Sequence, residues 1–203
     1  MENTDNVTNE INESVMGLTE QLISREILSC GINTLDKINH FGSGYKNSIF
    51  FKYLLTLKNQ GAVSNLGLLY NSIEPNEERQ KELRNLYEED SIGTSIEFIT
   101  TSMQEYLDES NDSVDWSIIT GVLDNNLYEH QQYEFMDKMI TSSLNLSNEG
   151  VIFTFDSNYQ DAIYNIEGII RYVNNTYNRY RISKIDERHY VICIYKYYHS
   201  PTN

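Results

Sequence analysis

The stretch Phe41–Phe51, FGSGYKNSIFF, decides how the rest of the chain is read. It closes a short apolar run, turns through Gly-Ser-Gly, and enters a segment with Ile49, Phe50, Tyr53, Leu54 and Leu57 on one helical face. A glycine turn between strand and helix is where many α/β proteins bring backbone close to a nucleotide-like ligand. Asn47 or Ser48 is placed to cap the helix. A third glycine would usually follow the first two, and Lys46 stands near its place.

Moving outward, the same strand–turn–helix unit recurs. Leu66–Ile73 reads as a strand, Pro75 holds Glu74 extended, and Asn76 caps a helix with Glu77 and Glu78 in its first turn. Leu83, Leu86 and Tyr87 form that helix's buried stripe. Ser95–Thr100 is a third strand and Asp115–Leu123 a fourth, followed by a helix with Tyr133, Met136 and Ile140 in register. Gly150–Asp156, GVIFTFD, is apolar enough for a strand covered on both faces. After a helix through Ile166, Ile169, Ile170, Val173 and Tyr177, strands at Tyr180–Asp186 and Tyr190–Tyr198 flank a tight connection at Glu187–His189. The pattern predicts an α/β fold with three layers: a Rossmann-like, seven-stranded, mostly parallel sheet with helices on both faces and a C-terminal antiparallel β-hairpin. Upstream, Ile11, Val15, Leu18 and Leu22 predict an amphipathic helix to about Leu28, stopped near Gly31. The chain therefore divides into a polar tail with that helix over 1–30, expected to act as a lid, and a main domain over 31–203.

This layout resembles the class I S-adenosylmethionine (SAM)-dependent methyltransferases over residues 36–198. The local match is strongest at Asp115–Phe155, where DWSIITGVLDNN, a helix and LSNEGVIFTFDS follow the family's fourth-strand and fifth-strand motifs. Small methyltransferase-like proteins of bacteriophages read this way, and the Asn-, Ile- and Tyr-rich usage suits an AT-rich genome. The resemblance implies SAM as cofactor. It implies a first loop of Phe41, Gly42, Ser43 and Gly44 against the methionine part, with Glu74 on the ribose hydroxyls and Ser102 and Met103 flanking the adenine. Gly121 to Asp124 would line the place where cofactor meets acceptor, with Asp124 and Asn125 as candidate catalytic groups that could instead cap the next helix. Where the family has an acid before the first glycine this chain has His40, and after strand three it has Thr101-Ser102-Met103.

Composition narrows the partners. A net charge of −15 over 203 residues repels phosphate backbones and anionic membranes, so nucleic acid and membrane are not favoured. The favoured acceptor is a small molecule or a protein, and a protein with a basic surface would suit the charge. Cys30 and Cys193, the only two cysteines, form no metal or disulfide pattern and read as reduced packing residues of a cytoplasmic protein. The opening MENTDNVTNEINES lacks the basic and apolar regions of a secretory signal. No Walker loop, Asn/Asp-Pro-Pro-Tyr tetrapeptide or Pro-Cys nucleophile appears, which disfavours ATP chemistry and methylation of DNA bases. Asp156, Tyr159 and the tyrosines around Tyr172, Tyr177 and Tyr180 fit packing better than chemistry, and the same holds for His40. The alternative to an enzyme is a catalytically degenerate protein of the same fold that binds or regulates another protein. A nicotinamide-dependent oxidoreductase is the weakest reading, because of the terminal hairpin and the absent third glycine.

Overall fold

The computed structural model describes residues 17–44, 49–62, 67–89, 95–122, 129–156 and 166–196. Lys46, Asn47, Ser48, Asp124, Asn125, Asn126 and Tyr159 lie outside them. In chain order the elements are α1 (Leu18–Ser29), β1 (Lys37–Phe41), α2 (Ile49–Asn59), β2 (Leu69–Ile73), α3 (Glu77–Glu89), β3 (Ser95–Ile99), α4 (Met103–Glu109), β4 (Val114–Ile119), α5 (Glu129–Leu146), β5 (Ser147–Asp156), α6 (Ile166–Thr176), β6 (Tyr180–Lys184) and β7 (His189–Tyr195). They build one seven-stranded sheet in the order β3-β2-β1-β4-β5-β7-β6. Five strands run parallel, and β7 pairs antiparallel with both β5 and β6. The direction of winding reverses between β1 and β4, which opens a crevice at the carboxyl ends of the strands there.

Two apolar clusters cover the two faces of this sheet. One joins Ile23 and Ile27 of α1, Phe50, Phe51 and Leu54 of α2, and Leu83 of α3 to Ile38, Tyr70, Ile118 and Ile152. The other joins Met103 of α4, Met136, Met139 and Ile140 of α5, and Ile169 and Val173 of α6 to Phe41, Ile119, Phe153 and Ile192. Both faces of the central strands are buried, which explains why β5 reads as an apolar run rather than as alternation.

The structure corrects four details of the sequence reading. The fourth strand stops at Ile119, and Gly121 lies beyond it at φ +65, a conformation that ends an extended run. A helix, α4, stands between the third and fourth strands, where the pattern gave none. Its start is a capping box: the Ser102 hydroxyl accepts from the Glu105 amide at 3.2 Å, and the Ser102 amide donates to the Glu105 carboxylate at 3.1 Å. His189 opens β7 instead of lying in the hairpin turn. Finally, α1 does not bury Leu18 and Leu22, which are exposed. Its inner face is Ile23, Ser24 and Ile27, because those three meet the sheet and α2. The cysteines, remote in sequence, meet in the core beneath α1. Both are free, and burial together with the neighbouring Cys30 thiol pushes the Cys193 thiol up. Among the described residues no helix is long and apolar enough to cross a membrane.

Candidate functional site

The carboxyl ends of β2, β1, β4 and β5 and the start of β7 present, in that spatial order, Glu74, His40, Thr120, Asp156 and His189. Two cavities open among them and share Thr120.

The larger, about 330 Å³, lies at the crevice where the strand order reverses. That is within the roughly 300–1,000 Å³ common for small-molecule sites. Gly42, Thr120, Gly121 and Val122 line one side of it, Glu74, Pro75 and Arg79 another, and Ser102, Met103 and Phe135 a third. Of the eight residues that the sequence nominated for a cofactor, the fold thus brings Gly42, Glu74, Ser102, Met103 and Gly121 onto one cavity. Phe41 points into the core, and Ser43 and Gly44 stand behind the wall. Ser43 is buried and shares a 2.8 Å hydrogen bond with Ser72.

The glycines are explained first by the protein itself. Gly42 sits at φ +69, and a Cβ there would meet the Thr120 carbonyl oxygen at 2.0 Å. Its own amide donates to the Ile73 carbonyl and its carbonyl accepts from the Thr120 hydroxyl, so the turn is stitched to β2 and β4. A Cβ on Gly44 would meet Arg79 Cβ at 2.7 Å and Glu74 Oε2 at 2.9 Å. The small residues keep backbone and carboxylate close together, which leaves the turn low enough to floor the cavity.

Glu74 is only 3% exposed. Its Oε2 accepts the Gly44 amide at 3.2 Å, its Oε1 accepts the Asn76 amide at 3.1 Å, and Arg79 Nη1 approaches at 3.9 Å. Each carboxylate oxygen has two lone pairs, so one on each remains to accept from a ligand. The position follows from the sequence around it: Pro75 keeps Glu74 extended, and Asn76 starts α3 by accepting the Arg79 amide at 3.0 Å. Ser102 lines the cavity with its hydroxyl already engaged by Glu105, whose carboxyl is held low by the Ser102 and Thr101 groups around it.

His40 takes no part as a base. Its Nδ1 accepts from the Tyr70 hydroxyl and its Nε2 meets Thr120 Oγ1 at 2.8 Å. The Thr120 hydroxyl spends its proton on Gly42 O at 2.9 Å, so the ring proton is on Nε2 and is donated to Thr120. Complete burial pushes the imidazole down to about 3 and the Tyr70 hydroxyl well up, and both stay neutral.

The second cavity lies on the α1 side of the sheet. Ile23, Ile27, Ile49 and Phe50 wall it with Phe155 and Tyr190, and His40, Thr120, Thr154, Asp156 and His189 supply its polar atoms. Asp156 accepts from Arg188 Nη2 at 3.2 Å and faces His189 Nε2 at 3.3 Å. His189 Nδ1 is 2.9 Å from Asp186 Oδ1. Burial works to raise the Asp186 carboxyl, but the amides of Arg188 and His189 and the His189 ring bond to it and hold it below the usual range. The sequence placed Arg188 and His189 in a tight connection and gave them no role at a site. The one local signal was Asp186 three residues before His189, which the turn uses to fix the ring.

The known structures that this chain resembles share its fold. Magnesium protoporphyrin IX methyltransferase from Synechocystis, solved with bound SAM, superposes with a TM-score of 0.56 at 12% identity, over 96% of this chain and 86% of that one. A SAM-dependent methyltransferase from Aquifex aeolicus gives 0.60 at 9% identity, over 92% and 97%. A methyltransferase from Pyrococcus furiosus gives 0.52 at 14% identity, over 86% and 82%. No protein-family model matches the chain, and no curated protein sequence does. The fold is that of the SAM-dependent methyltransferases.

Proposed function

We propose that this protein binds SAM in the larger cavity and transfers its methyl group to an acceptor. One observation carries the reading. Five residues nominated from the sequence line a single cavity at the strand-order reversal, with a buried carboxylate at the end of β2 that keeps free lone pairs.

The donor set fits the cofactor in kind. Glu74 offers acceptors for a ribose diol, and Met103, Ile73 and Phe135 offer apolar surface for a base. When bound, SAM supplies an electrophilic methyl on a sulfonium. The chain's part is then chiefly alignment, which by itself lowers such a barrier by several kcal/mol. The Gly42 turn, held to β2 and β4 by its amide and carbonyl, is a rigid floor for that alignment. Two buried free cysteines and an acidic, Asn- and Ile-rich composition fit a small phage-type enzyme at work in a reducing cytoplasm.

Calorimetric titration with SAM and with S-adenosylhomocysteine tests this. Saturable binding that Glu74→Ala weakens at least tenfold is the expected result. Absence of heat and of thermal stabilisation by either compound overturns the enzyme reading and leaves a binding role for the fold.

A further inference from the structure

The second cavity and the Asp156–His189 pair are not used by the cofactor reading, yet they touch it through Thr120. We propose that this cavity is the acceptor site and that it takes a small, uncharged, mainly apolar molecule with one hydroxyl or amine hydrogen, which the Asp156–His189 pair receives as a proton. The proposal rests on the methyltransferase reading above.

Location comes first. Among the described residues Thr120 is the one common to both cavities, so whatever occupies the second lies one side chain away from whatever occupies the first. The chemistry of the walls then selects the acceptor. Ile23, Ile27, Ile49, Phe50 and Phe155 reward apolar surface and offer nothing to a charge. The polar atoms are arranged on adjacent strands: Asp156 pairs in register with His189, and Thr154 shares their face. An anion would meet the Asp156 carboxylate there, while the guanidinium of Arg188 is already spent on it.

The proton needs a destination among the described residues that line the cavity. As the acceptor oxygen or nitrogen forms its bond to the methyl carbon, the sulfur–methyl bond breaks with its electrons to sulfur, and the acceptor loses a proton. His40 cannot take it, because both its nitrogens are bonded in the core. The Asp156–His189 pair can: Asp156 lines the cavity as a carboxylate acceptor, 3.3 Å from His189 Nε2, and Asp186 holds the ring from its other side at Nδ1.

Access requires α1 to move. The free space between the walls is about 20 Å³, room for one water and no acceptor. Ile23 and Ile27 are its roof, and α1 is tied down where Thr19 Oγ1 donates to Asp186 Oδ2 at 3.1 Å and where Glu26 meets Arg181 and Ser183. Asp186 thus holds both the roof and the ring of His189, so closure of α1 and orientation of the base depend on one carboxylate.

The test uses the full chain with phenol as the uncharged probe and benzoate as its charged counterpart. The His189 imidazole resonance is assigned by its loss in His189→Gln. With S-adenosylhomocysteine bound, as shown by calorimetry, phenol should shift that resonance saturably and benzoate at least tenfold more weakly. Ile27→Trp, which fills the cavity, should abolish the phenol shift and leave the S-adenosylhomocysteine heat unchanged. If that variant does not fold, the phenol–benzoate comparison on the native chain decides alone. No shift with phenol, or equal response to benzoate, overturns the acceptor site while the cofactor site stands. No S-adenosylhomocysteine heat overturns the cofactor reading, and a phenol shift without it marks a ligand cavity that is not an acceptor site.

Discussion

Glu74 and Asp156 are the same device used in two ways. Each is a buried carboxylate at the carboxyl end of a parallel strand, 3% and 5% exposed. Glu74 is satisfied by backbone, through the amides of Gly44 and Asn76, and so it fixes the shape of a turn. Asp156 is held by side chains that carry or accept protons, Arg188 and His189. A carboxylate bound to amides is a fixed acceptor. One bound to a guanidinium and an imidazole belongs to a group whose charge can change. The contrast predicts that the Glu74 end of the sheet binds and that the Asp156 end exchanges protons.

Between them lies His40, and the largest expected effect tests whether it belongs to neither. Its folded value of about 3 lies below the ordinary 6.5, so the neutral form is favoured in the fold. As pH falls through 6.5 the unfolded chain takes up the proton first, and stability is lost until the folded value is reached. This group alone should cost about 2–3 kcal/mol between pH 6 and pH 4. Urea unfolding of His40→Gln across that range should show a correspondingly flatter pH dependence than the native chain. Equal slopes would mean that burial does not hold His40 neutral in the fold.

Next in size is Glu74→Ala. The buried Gly44 amide loses its acceptor, while the exposed Asn76 amide regains water, so about 2 kcal/mol of stability should go. Chemical denaturation reads this separately from the loss of cofactor affinity. Gly44→Ala sharpens the same point without removing the carboxylate. Its Cβ would press on Arg79 Cβ and on Glu74 Oε2, and about 1–2 kcal/mol with a several-fold weaker S-adenosylhomocysteine affinity is expected. If Gly44→Ala leaves both unchanged, Glu74 is not held by that turn.

The sequence carried the turn and the acid because their signals are local. Gly42 and Gly44 flank one serine, and Glu74 precedes the only proline of its unit. The parallel sheet was equally readable, since strand and helix periods alternate along the chain. The helix α4 was not read, although Ser102 and Glu105 spell a capping box, because the seven residues Met103–Glu109 are too few to show a helical stripe. Two stripes competed in α1, Leu18 with Leu22 and Ile23 with Ile27, and only the sheet could choose between them. The acceptor side stayed hidden for another reason. His40 meets Tyr70 and Thr120, 30 and 80 positions away, and Asp156 meets Arg188 32 positions away. No local period encodes such pairs.

The smallest effect bears most directly on the comparison. Asp156→Asn keeps the shape and removes the charge. Arg188 is half exposed, with 49% of its side chain open, so water screens it and replaces much of what the carboxylate gave. The stability cost should be about 1 kcal/mol, below that of Glu74→Ala, and S-adenosylhomocysteine affinity should hold within about twofold. What should change is the response of the His189 imidazole resonance to phenol with S-adenosylhomocysteine bound. The carboxylate stands 3.3 Å from His189 Nε2 and lines the same cavity, so its loss should weaken the phenol shift several-fold. A phenol shift that stays put while stability drops would make Asp156 a second Glu74, a structural acceptor with no hold on the acceptor.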